Sequence, residues 1–241
     1  MSESAQQEGR SRRRAAYLTA GLGLLHAVLV LSSLGILRRA PGINASDAEL
    51  IAFYGGGERQ SVLVAGLYLM PFAAISFVWF IVALRTWVAS YGRPEHSLFS
   101  NVQLIAGIIF VALFLIGGAA FSIDAAGIQL ANATPDPSSM RLFPQLGQVT
   151  VVVLAMRMAA IFVLTTSSIG RHTHVLPTWF NWLGYPVGLF LLLAASLNTL
   201  LVTVFPVWVT VLSIVLIVRA RRIPRQATLP PGTVWPLPNG G

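Results

Sequence analysis

The chain is 241 residues long, 55% hydrophobic and only 10% charged, with a formal net charge of +8. Ordinary soluble domains carry roughly 25% charged residues, so a surface that faces water on all sides is excluded. Cysteine is absent, which removes disulfides, thiol chemistry and Cys-ligated metals, and all 16 cationic side chains are arginine.

Residues 1–14, "MSESAQQEGRSRRR", form a polar tail that ends in a basic cluster. The apolar run behind it is long, and no small-residue cleavage site precedes Arg38 and Arg39, so a retained first span is predicted over 15–37. Crossing a hydrocarbon core ~30 Å thick takes ~20 apolar residues. Runs of about that length predict further spans at 62–84, 102–124, 149–169, 181–198 and 202–219. From Gly184 to Val218 no residue is charged, which is too long for one helix. Asn198, Thr199 and Pro206 are expected to turn this stretch into a tight hairpin, with the proline suited to a helix start. The fold predicted is all-α: a polytopic transmembrane bundle of about six spans over 15–220, followed by a disordered Pro-rich tail over 221–241.

Between the first two spans lies "NASDAELIAFYGGG". Ser46 with Glu49 three residues on makes a capping box, and Leu50, Ile51, Phe53 and Tyr54 follow at helical spacing. A short interfacial helix is therefore predicted over 47–54, ended by a left-handed glycine among Gly55–Gly57. The third connection, "ANATPDPSSMRLFPQ", reads as a turn-rich loop.

Six spans put both termini on one side. That side carries eleven arginines: Arg10, Arg12, Arg13, Arg14, Arg85, Arg93, Arg171, Arg219, Arg221, Arg222 and Arg225. The other side carries four, Arg38, Arg39, Arg59 and Arg141, so both termini are expected in the cytoplasm. Trp87, Tyr91, Trp179 and Trp182 are expected at the cytoplasmic interface, where amphipathic rings settle. Because the arginines sit at span ends, they point to membrane topology and not to nucleic acid.

Asp124, Arg157 and His26 are the ionisable residues within or at the edge of spans, and such residues are functional candidates by default. Arg157 lies about seven residues into its span, or ~10 Å deep at 1.5 Å per residue. Asp124 is its expected partner and Glu49 a second candidate. The alternatives are a structural Arg–Asp tie, a binding site for an anionic group, and a side chain that snorkels to the interface. His26, alone among apolar residues, reads as a hydrogen-bonded interior group. His96, His172 and His174 map to loops, and no haem, metal or other cofactor is expected.

No G-x-S-x-G elbow, H-E-x-x-H helix or P-loop is present. Catalysis is therefore not expected. Pro71 and Pro186 lie in corresponding spans of a three-plus-three arrangement, as in inverted-repeat transporters. The Gly184–Gly188 pair and "GGAA" at 117–120 more simply permit close helix packing.

"SDAELIAFY", "RMAAIFVLTTSSIGR" and "VLPTWFNWLGY" together resemble a group of small actinobacterial multi-pass membrane proteins without an assigned activity. The resemblance covers most of residues 40–190. It implies about six helices, and Asp47, Glu49 and Arg157 coincide with the group's polar positions. The function expected is a structural or accessory component of a bacterial inner membrane, or a lipid- or small-ligand-binding protein, with membrane lipids and a second copy or another membrane protein as partners. The alternative is a small oligomeric transporter with a polar site around Arg157, Asp124 and His26.

Overall fold

The computed structural model describes residues 3–91, 97–194, 198 and 200–222, and the described residues form helices without a strand. In lipid every backbone N–H and C=O must find a partner inside the protein, and a long helix provides this within one segment. The elements are α1 (Glu3–Leu37), α2 (Asp47–Gly55), α3 (Arg59–Leu63), α4 (Met70–Ala89), α5 (Ser97–Ala131), α6 (Pro137–Gln148), α7 (Met156–Thr173), α8 (Thr178–Leu193) and α9 (Leu200–Arg222). Two π-helical stretches, Val64–Leu69 and Val149–Ala155, join α3 to α4 and α6 to α7 as continuous rods.

Five of the resulting helices are long and apolar enough to cross a membrane: Arg13–Leu37, Arg59–Ala89, Leu98–Ala131, Pro137–Thr173 and Leu200–Arg221. They contain the predicted spans 15–37, 62–84, 102–124, 149–169 and 202–219. The span predicted at 181–198 corresponds to α8, whose 16 residues rise only ~24 Å. Thr199, His96 and the tail beyond Arg222 lie outside the described residues. At the other end, α1 continues back through the basic tail to Glu3.

Both π-helical stretches lie close after or before a proline. Pro71 has no N–H to offer the preceding turn. Just upstream, Met70 N–H reaches back five residues to Ala65 O, which widens the helix and keeps that carbonyl paired. Pro144 stands inside α6 in the same way, shortly before Val149–Ala155. The prolines are thus absorbed without a break in either rod.

α4 and α9 flank α1, α5 lies between α4 and α7, and α8 rests on α7. Small residues set the closest approaches. Gly118 of α5 lies against the Gly66 carbonyl, and its neighbour Gly117 lies against Gly147 and Val151, so adjacent glycines serve two different rods. On α8, Gly184 meets Ser167 and Gly188 meets Leu164 and the Ala160 carbonyl. The packing role expected for both small-residue patches is what the bundle uses. In its centre Phe77, Phe110 and Phe205 pack around His26, and Phe162 packs on Phe77 and Phe205; the Phe110 and Phe205 centroids are 4.9 Å apart.

Four expectations need correction. The connection 131–145 is not a loop throughout: α6 occupies Pro137–Gln148, with Asp136 as N-cap and Pro137 in its first turn. α9 starts at Leu200, so Pro206 is inside it and not at its start, and α9 packs mainly on α1 instead of forming a tight hairpin with α8. Its Phe205 and Trp208 are drawn into the central aromatic cluster. α2 ends on Gly56 in an extended conformation, φ −88 and ψ −170, and not in a left-handed one. Trp87 is fully buried and packs on Tyr91, so it is a core residue, whereas Trp179 and Trp182 are exposed.

The end of α1, all of α2 and α6, the start of α3 and the end of α5 gather at one end of the bundle, the cap end. The opposite, tail end is tied by Arg85 Nη1 donating to Ser100 O at 2.6 Å and Gln103 Nε2 donating to Thr166 Oγ1 at 2.7 Å.

Candidate functional site

The cap is assembled from local signals that each leave a polar group at a defined place. Ser46 Oγ accepts from Glu49 N, and Glu49 Oε2 accepts from Ser46 N at 2.7 Å, the reciprocal capping box that starts α2. These bonds hold the Glu49 carboxyl below its ordinary range. Asp136 accepts from Ser138 N at 3.0 Å and so starts α6. Asp124, near the end of α5, accepts from Ser139 Oγ at 2.6 Å and ties α5 to α6.

Arg141 on α6 then binds the α2 segment: Nη2 donates to Asp47 Oδ1 at 2.6 Å and to Ala45 O at 2.8 Å. Arg59 Nε donates to Gln129 Oε1 at 2.8 Å, which ties α3 to α5. Beneath these ties Leu50, Tyr54, Val62, Leu63, Ala125 and Met140 form a small separate hydrophobic core. Burial, reinforced by the nearby Asp124 charge, pushes the Tyr54 hydroxyl up to about 12, so it stays protonated.

Between the cap and the membrane-spanning bundle lies a cavity of ≈ 590 Å³. Its apolar wall includes Leu34, Met70, Phe121, Val152 and Val202, drawn from α1, α4, α5, the second π-helical stretch and α9. Polar groups are supplied by Arg38, Arg141, Gln145, Gln148 and Tyr54, and none of the lining residues is Asp or Glu. Arg38 is exposed just beyond α1, and its guanidinium has no hydrogen bond or ion pair among the described residues. A concave, mainly apolar space of about 300–1,000 Å³ with a few polar groups is the usual form of a small-molecule site.

The structure distributes the four sequence-predicted site residues instead of assembling them. Asp124 and Glu49 serve the cap, as described. His26 is fully buried in the bundle, with Nδ1 2.9 Å from Ala73 O, Phe77 4.7 Å away centroid to centroid, and Nε2 without a partner. Arg157 is half-buried on α7, and Nη1 donates to Val153 O of its own helix at 3.1 Å. No hydrogen bond or ion pair joins any two of the four among the described residues.

The expected Arg157–Asp124 tie therefore does not form, and helix register gives the reason. Gly107 of α5 lies against Phe162 and Gln103 bonds Thr166, so in this antiparallel pair Arg157 is level with about Ala112, 12 residues below Asp124 on α5. At 1.5 Å per residue that is about 18 Å along the axis. The contacts of Gly184 and Gly188 with α7, carried one turn further, place Arg157 level with Ala194, the C-cap of α8.

Arg38, Arg141 and Gln145 were not singled out as site residues by sequence reasoning. The available signal was Asp136 followed by Pro137 and an amphipathic "PSSMRLFPQLGQ", a helix start that the internal Pro144 conceals. Among the described residues no group of three or more His, Asp or Glu side chains could hold a metal. Comparison with protein families, curated proteins and solved structures finds no match for this chain. The all-helical architecture with five apolar spans is that of a membrane protein.

Proposed function

We propose that the chain is a multi-pass protein of a bacterial cytoplasmic membrane that holds a lipid-like ligand in the cap cavity and catalyses no reaction. The observation that carries this reading is the cavity itself: ≈ 590 Å³, apolar in its wall and bounded by guanidinium, amide and phenol groups. These groups bind and orient; they do not form a nucleophile–base pair. The eleven-to-four arginine asymmetry supports six crossings with both termini in the cytoplasm, α8 being the shortest crossing, and hence a cap on the outer side. The sequence resemblance to small actinobacterial membrane proteins agrees with this setting. Exposed apolar side chains such as Phe72, Trp79 and Ile108 supply the lipid-facing surface, or a face for a membrane partner.

A transport reading would require Arg157, Asp124 and His26 on one polar path, and each has a separate neighbour instead. A photo-cross-linking amino acid at Val149, on the cavity, tests the binding reading against the same residue at Val78 on the exposed face of α4. A discrete lipid species captured at Val149, with bulk phospholipid at Val78, is the expected result. Bulk phospholipid at both positions, or no adduct at Val149, would overturn it.

A further inference from the structure

We infer that the ligand of the cap cavity is an amphipathic anion, an apolar chain ending in a phosphate or carboxylate, whose head is bound by Arg38. This rests on the binding reading above and specifies its chemistry. The charge inventory around the cavity is one-sided. Arg38 and Arg141 line it, and no lining residue is acidic.

The two guanidinium groups are not equivalent. Arg141 is committed to the cap through Asp47 and Ala45, and its remaining contact is Nη1 to Pro137 O at 3.4 Å. Arg38 has no protein acceptor among the described residues, although its planar donors suit two oxygens of a carboxylate or phosphate. Gln145, half-buried on α6, adds a neutral amide at the same cavity. Such an amide can donate to a further head-group oxygen without adding charge.

The wall fixes the other half of the ligand. Leu34, Met70, Phe121, Val152 and Val202 offer no polar side chain, so whatever lies against them must be apolar. A free inorganic anion would leave that wall unfilled. A neutral chain would leave the exposed Arg38 donors to water, and a cationic head would be repelled. An amphipathic anion matches both halves.

The test uses the full chain in neutral maltoside micelles and measures binding of dodecyl phosphate, dodecanol and inorganic phosphate by native mass spectrometry. Dodecyl phosphate is expected to bind about tenfold tighter than dodecanol, because a hydrogen bond to a charged group contributes more than one between neutral groups. Arg38→Gln, whose folding is checked by thermal unfolding, should bring that ratio toward one. Leu34→Trp, which fills the wall, should abolish both. Equal binding of dodecyl phosphate and dodecanol, unaltered in Arg38→Gln, would refute the anionic head and leave the cavity reading standing. Binding of neither chain would overturn the cavity reading itself. Inorganic phosphate that displaces dodecyl phosphate at equal concentration would identify a free-anion site and refute the proposal.

Discussion

Replacing Arg157 by leucine is expected to leave the bundle as stable as before or to stabilise it. The guanidinium has one hydrogen bond, 3.1 Å to Val153 O in its own helix. Such a bond contributes about 0.5–1.5 kcal/mol net. Against this stands the cost of a charge within a span, ~2.5–3.5 kcal/mol at the centre and less where the side chain reaches toward the interface. The balance is a gain of about 1 kcal/mol. In a chain of this size that raises the unfolding midpoint by about 2–4 °C. Thermal unfolding of the full chain in nanodiscs reads the shift directly. A double-mutant cycle with Asp124→Asn should be additive within about 0.5 kcal/mol, because about 18 Å separates the two along the helix axis. A midpoint lowered by more than about 5 °C, or a coupling above about 1 kcal/mol, would refute the register argument.

Three further outcomes follow from the cap and the helix contacts. Ser46→Ala removes the capping box and is expected to cost α2 about 1 kcal/mol, read as faster amide exchange over residues 47–55; unchanged exchange would contradict it. The same helix should loosen in acid. Glu49 has a folded pKa below its ordinary value of about 4.3, so its contribution is fully present above that value and is lost as pH falls through the folded pKa. Exchange over α2 should therefore quicken below about pH 4 in the native chain and show little acid dependence in Glu49→Gln, which has no carboxylate to protonate. Gly66→Leu drives a side chain into Ser122 and the Gly118 carbonyl, and should destabilise the bundle by about 1–3 kcal/mol or more. A Gly66→Leu chain with an unaltered unfolding midpoint would show that the first π-helical stretch and α5 are not packed through these glycines.

Much of the fold is legible in the sequence because membrane spans are specified by long continuous signals. Leu37 ends α1 as expected, and Ser46 with Glu49 announces α2 from within four residues. Where two signals compete, the reading fails. Pro144 argues against a helix over 137–148, yet Asp136, Pro137 and the adjoining π-helical stretch carry α6 through it. That omission also displaced the site. Treating 131–145 as a loop sets the ends of the third and fourth spans side by side and brings Asp124 close to Arg157. The extra turns of α6 move Asp124 to the level of Ser139 instead. The cavity was out of reach for a different reason. Leu34, Phe121, Val152 and Val202 are scattered through the chain, and only tertiary packing shows that they share a wall with Arg38 and Gln145.

The most direct test of the account is native mass spectrometry of the full chain extracted from its own membrane in mild detergent, compared with Gln145→Trp, which places a large side chain at the cavity. One amphiphile is expected on each native chain and none on Gln145→Trp, whose unfolding stays cooperative with a midpoint lowered by the stabilisation that the bound ligand supplied. A native chain that emerges without a bound amphiphile, or a Gln145→Trp chain that keeps one equally well, would contradict a ligand-holding cap.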